Sequence, residues 1–486
     1  MLSPITLVAF SAVALATVEI QDPSNIIPAS DWAADNALIA DYNAPFPANG
    51  QPTDCESPNL VSDNLHIHKT NVPAGWIVIG VHDFKHKSVS VDHVTWHADK
   101  NDTSIVLVSK NADFAASYST FIKSGYYSNL NWASFYGFNA AINVANNSVA
   151  ILDHVNITVH NGAANVYSYG TGTVVNVTNS WLYSSGPVSH GLYASGNGTI
   201  HAKNLQHYSG GHRSSAFSGD SPAGYIYVED SVSHVRGIGS ATYYALGEIH
   251  ATNVASVSEQ GPVVFSDGKQ KIYLKDSSAQ AGLLGGAVLF SSSERRAGAV
   301  LDLEDTTIIT TGKTMPGLWF GNVIANARLK SVQLNTASGI LAVANFSQIT
   351  QDFNYYGGYV DNPSMKAAEV SLNVLESSLS GDLIAYNKSS ISLSLTQYSN
   401  WKGTARVGYK SASFGVSLDA SSEWTLTADT TLQNFTNLDT SNSNIQSRGY
   451  NIYYNSSASA NKWLKSRTIK LPGGGKLEPI KNKTGY

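Results

Sequence analysis

Five residues are the first to read as chemistry: His212, Arg213, Asp220, Arg236 and Asp267. A polysaccharide lyase needs a His, Lys, Arg or Tyr base near a group that neutralises a uronate carboxylate, and His212 with Arg213 and Arg236 supplies both. A glycoside hydrolase needs instead two carboxyl groups about 5–9.5 Å apart, and Asp220 with Asp267 is the nearest approach to such a pair. Tyr167, His190, Tyr243 and Glu259 add the aromatic and polar groups of a glycan-binding surface, with Tyr169, Tyr183 and Tyr208 as further sugar-stacking rings. Each has a plainer reading. His190, His201, His207, His212 and His234 suit outward positions on strands, Asp220 and Asp267 sit beside Gly or Ser as turn formers do, and the arginines suit a solvated surface. His66 with His68, and His93 with His97, have no companion Cys/His set at a recognised spacing, so no metal or cofactor is expected. P-loop, dinucleotide, nucleophile-elbow and zincin motifs are absent from the sequence.

The candidates are scattered along the chain, and a stacked repeat would bring them together. One is present: an apolar residue, any residue, a small or apolar residue, any residue, then Asn or Asp. It reads Val149 to Asp153, Val175 to Asn179, Ile200 to Asn204, Ile226 to Asp230, Ile249 to Asn253, Ile272 to Asp276 and Leu301 to Asp305. The terminal positions are 26, 25, 26, 23, 23 and 29 residues apart, a period that marks stacked units unable to bury an apolar face alone. Within each phrase apolar and polar residues alternate, a strand signal, and a second short strand follows, as in Gly191-Leu-Tyr-Ala and Pro262-Val-Val-Phe. Two or three strands per ~20–29 residues predict an all-β, right-handed parallel β-helix solenoid; the leucine-rich pattern is missing, and a propeller blade needs a longer unit.

Stacking would place Asn179, Asn204, Asp230, Asn253 and Asp276 at equivalent corners, and Tyr193, Phe217, Tyr244, Phe265, Phe290 and Phe320 in an inward aromatic column. Asp220 and Asp267 would then lie two rungs apart, roughly 10 Å, marginal for an inverting pair.

The expected organisation is a signal peptide over 1–16, an N-terminal capping arm over 17–74, the β-helix over 75–454 with an excursion near 345–365, and a C-terminal tail over 455–486, basic from Lys462. Charged residues are 13% of the chain, well below the usual quarter, and the net charge of -5 gives no case for nucleic acid or an anionic membrane. No stretch after the leader has the length of a membrane span, and the lone Cys55 excludes an intramolecular disulfide. Sequons stand at Asn101, Asn146, Asn156, Asn176, Asn197, Asn345, Asn387, Asn434, Asn455 and Asn482. The profile is that of a secreted, monomeric, fungal glycoprotein of the wall or matrix.

The phrases Asn139-Ala-Ala-Ile, Ser189-His-Gly-Leu, His212-Arg-Ser-Ser-Ala, Gly239-Ser-Ala-Thr-Tyr-Tyr and Ser417-Leu-Asp-Ala-Ser-Ser-Glu-Trp-Thr-Leu occur in order. Over roughly 139–454 the chain resembles adhesin-like, pectin-lyase-like parallel β-helix proteins. The resemblance implies a secreted surface protein that binds polysaccharide; a lyase or hydrolase acting along the groove is the alternative.

Overall fold

One residue per repeat, held in the left-handed backbone region, turns the chain: His154, Asn179, Asn204, Asp230, Asn253, Asp276 and Asp305 have φ between 48° and 54°. Asn and Asp visit that region at lower cost than other L-residues with a Cβ, which is why they recur there. In the first of these phrases the corner is His154, following His93 and Tyr118 on earlier rungs, so the end expected at Asp153 is displaced by one residue; Ala150, not Val149, aligns with Val175. The corner amides bond from rung to rung: Asn179 Nδ2 donates to Asp153 Oδ1, Asn204 Nδ2 to Asn179 Oδ1 and Asn253 Nδ2 to Asp230 Oδ1, each at 2.8 Å. Where a serine follows the corner, its Oγ accepts a backbone N–H of the preceding rung, as Ser180 does from Val155 at 3.1 Å and Ser231 from Leu205 at 3.0 Å.

The computed structural model describes residues 78–480 except 126–132, 134–135, 161–162, 186–187, 212–213, 220–222, 238, 292–293, 314, 346–365, 387 and 408–411. They form a parallel β-solenoid of about 14 turns with strands between 79 and 479. Each turn crosses three faces. Face A is a 13-stranded sheet of short strands such as Leu192–Ser195 and Phe217–Gly219. Faces B and C share long strands, Val174–Ser184, Thr199–Ser209, Tyr225–Val235 and Glu248–Ser258, which bend at the corner residue. Neighbouring rungs align residue on residue: Val175, Ile200, Ile226, Ile249, Ile272 and Leu301 stack in one inward row, all fully buried. Each such side chain contributes roughly 1.5–3 kcal/mol by leaving water, and the rows run on without a break.

The left-handed corner also breaks the alternation of the strand. Before Asn204 the even-numbered Ile200 and Ala202 point inward; after it the odd-numbered Leu205, His207 and Ser209 do. Reading period two straight through the corner therefore sends His207 outward, and the structure corrects this: His207 is fully buried beside Ser233.

The expected aromatic column divides in the same way. Phe217 and Phe320 face inward, whereas Tyr193, Tyr244 and Phe265 share the outward row of face A. That outer row is itself buried, since Tyr244, Phe265, Phe290 and Trp319 form a second apolar cluster with Leu284.

The region expected to be a tail is folded up to residue 480. Strand Lys476–Pro479 pairs with Ile452–Tyr454, and Ile469–Lys470 returns against it antiparallel. The 3-10 helix Ser459–Leu464 brings Asn461 under the last rungs, where its Oδ1 accepts the Phe435 N–H at 2.6 Å. The excursion expected near 345–365 lies, beyond Asn345 at the end of strand Ile340–Asn345, outside the described residues; Arg295 ties the returning strand, meeting Glu369 at 2.6 Å and the Ala367 carbonyl at 2.9 Å. No helix of the described residues is long and apolar enough to cross a membrane.

Candidate functional site: two polar clusters on the outer faces

Of the residues singled out as chemistry, Arg236 and Glu259 come together. They are equivalent positions on adjacent rungs at the end of face C, because Arg236 N bonds Ser209 O while Glu259 N bonds Val235 O. Glu259 bridges two partners: its Oε1 meets His234 Nε2 at 2.7 Å and its Oε2 meets Arg236 Nε at 3.4 Å. Tyr208 bonds Arg236 as well, and its ring meets His234 edge-on at 5.2 Å. A carboxylate that orients an imidazole beside a guanidinium and a phenol is proton-transfer equipment. The adjoining rings Trp181, Tyr183 and Tyr208 stack within 4–5° of parallel but are buried, so they present no open platform.

The other candidates lie elsewhere. His212, Arg213 and Asp220 fall outside the described residues. Asp267 ends its strand on the outer side of face A, opposite Phe290. It thus stands at the far edge of that face from Arg236 and Glu259, so these groups do not share one centre. Tyr243, expected to meet glycan, points into the core and stacks on Phe217 at 5.7 Å, and burial pushes its hydroxyl well above the usual range. Tyr167 is fully buried, with its hydroxyl 2.6 Å from Ser195 Oγ. His190 is buried too. Its Nδ1 accepts the Ser215 N–H at 3.1 Å and lies 3.0 Å from Ser218 Oγ, and burial lowers it to about 3, so the ring is neutral. The sequons at Asn101, Asn146, Asn156, Asn197 and Asn434 are exposed, and those at Asn176 and Asn455 are half-exposed. Asn345 is 2% exposed and its Oδ1 receives the Trp319 indole N–H at 3.2 Å, so the folded protein offers no room for a glycan there. Asn387 and Asn482 lie outside the described residues.

A second feature escaped the reading by residue type. On the solvent side of face B, His201, Tyr227, His250 and Tyr273 occupy one row. Their rings stack at 4.9, 4.9 and 4.4 Å with interplanar angles of 13–19°. Each is the second residue of a repeat phrase, so superposing the phrases would have revealed the row. Because the stacking runs along the solenoid axis, each inner ring's two faces are covered by its neighbours. What reaches solvent is the ring edge, with phenol hydroxyls and imidazole nitrogens that donate and accept, although His250 Nε2 is already held by Glu248 Oε1 at 2.7 Å. Asn176 precedes His201 in the row and the Asp302–Arg328 pair, at 2.7 Å, follows Tyr273.

No family model matches this chain, and neither a curated protein nor a solved structure matches it. Among the described residues no group of three or more His, Cys, Asp or Glu is arranged to hold a metal ion.

Proposed function

We propose that this is a secreted, glycosylated, adhesin-like β-helix protein of the cell wall or extracellular matrix that binds polysaccharide without cleaving it. The observation that supports this best is the row His201–Tyr227–His250–Tyr273, which offers hydrogen-bonding edges at every rung along a straight line. Rungs repeat at about 4.8 Å, close to the advance of one sugar unit in an extended chain, so one contact can recur from unit to unit. The resemblance to adhesin-like, pectin-lyase-like proteins and the sequons support secretion and surface display.

A second reading, a polysaccharide lyase or glycoside hydrolase, is favoured by the His234–Glu259–Arg236 cluster alone. Incubation with a panel of plant and fungal polysaccharides separates the two, by retention on the insoluble polymer and by assay of reducing ends and unsaturated products. Saturable retention without product is expected. Product that His234→Ala abolishes would replace the binding reading with the enzymatic one.

A further inference from the structure

The surroundings of the aromatic row go further and indicate which polysaccharides it accepts. The lysines and arginines on this row and on the two rows beside it are Lys203, Lys271, Lys275, Arg328 and Lys330. All five are engaged by carboxylates. Lys203 meets Glu229 at 3.3 Å and Asp230 at 3.2 Å, and Lys271 meets Glu248 at 3.3 Å. Glu304 holds Lys275 at 3.7 Å, Lys330 at 3.5 Å and Arg328 at 3.3 Å, and Asp302 holds Arg328 at 2.7 Å. At the corner beside them Asp276 and Asp305 add carboxylates. A uronate or sulfate arriving here would find each cation already matched and would face those carboxylates, so it would lose more in repulsion and desolvation than it gained. A hydroxyl-rich neutral chain meets no such opposition.

The glycosylation signals are consistent with this strip being kept open. The sequence has five sequons from Asn101 to Asn197 and five from Asn345 to Asn482, and none between. The aromatic row lies in the bare interval, and its neighbour Asn176 stands in a sequon at one end.

Resting on the polysaccharide-binding reading, we infer that His201, Tyr227, His250 and Tyr273 form a binding strip for a neutral, extended polysaccharide. Such a chain, of hexose or N-acetylhexosamine units without carboxylate or sulfate, lies parallel to the solenoid axis with its hydroxyls bonded to the ring edges. From first ring to last the strip spans three rung steps, about 14 Å, which a few sugar units cover.

The test uses the full chain from a eukaryotic host, with neutral polymers (β-glucan, mannan, chitin) and acidic ones (polygalacturonate, alginate, dextran sulfate). The expected result is retention on a neutral polymer that changes less than about twofold from low to high salt, since no net charge is exchanged. The double variant Tyr227→Ala/Tyr273→Ala should lose about tenfold or more in affinity, the worth of one or two hydrogen bonds. Tyr227→Phe/Tyr273→Phe keeps the stacked rings while removing the hydroxyls, and should lose a large part of the same affinity with an unchanged melting temperature. Tight binding to an acidic polymer that salt abolishes would overturn the neutral assignment and leave the binding reading standing. Neutral binding untouched by both double variants would overturn the strip. Retention on neither class would overturn the polysaccharide reading itself.

Discussion

Histidine at positions 190 and 207 is held where a charge has no solvation. Burial is the leading cause at both, and His234 and His190 add repulsion at His207; each ring is lowered from 6.5 to about 3. The folded state therefore binds fewer protons than the unfolded chain between pH 6.5 and 3, and stability falls as pH drops through that window. The loss approaches on the order of 4 kcal/mol per histidine at the acid end, so the protein should unfold cooperatively well above pH 3. Denaturant titrations at intervals from pH 7 to 4 should show His207→Leu with a shallower dependence, by about one proton. An unchanged slope would mean that His207 titrates normally in the fold. His207 was misplaced by the sequence reading because residue type says nothing of where alternation is broken. Arg236 and Glu259 were found as types, but their meeting with His234 and Tyr208 depends on rung register, which spacing alone leaves open by a residue.

Elements here are rungs, and the corner decides their geometry. Asn204 carries two duties, a φ of 53° and a bond to Asn179 Oδ1. Asn204→Gly should cost well under 1 kcal/mol, because glycine adopts that backbone freely and the exposed amide bond is weak. Asn204→Val should cost about 2 kcal/mol, since a β-branched residue is strained in the left-handed region. Thermal melts of the two variants check this; equal losses would show that the side-chain bond and not the backbone governs the corner. The corner ladder was the most legible part of the fold, because the backbone demand selects Asn and Asp directly. The aromatic column was less so. Tyr193, Tyr244 and Phe265 sit outside face A in a buried layer, and burial on both sides of a sheet removes the contrast by which inward and outward positions are told apart in sequence.

For the whole molecule, stacking makes each rung depend on its neighbours only, so the ends need separate treatment. At the C-terminal end that treatment is the segment 455–480, with its 3-10 helix and its antiparallel return. The low apolar content and basic character of this stretch read as a tail, because a cap buries few residues and carries no repeat. Ending the chain after Tyr454 would expose Phe435, Ile452 and Tyr454 together with an unpaired strand edge. Light scattering on that truncation should show more oligomer or aggregate than the full chain does; a truncation that is fully folded and no more associated than the full chain would show the cap to be dispensable.

The equal register of successive rungs has one more consequence. Thr199 pairs with Tyr225 and Tyr225 with Glu248, so excising the coil from Tyr225 to Gly247 would let Thr199 meet Glu248 in its place. Such a deletion shortens the molecule like a removed link, subtracting Tyr227 while His201 and His250 become adjacent. How long the protein is and what its surface says are therefore separable traits. A lineage built this way can change its reach by gaining or losing whole coils, without rewriting the residues that remain.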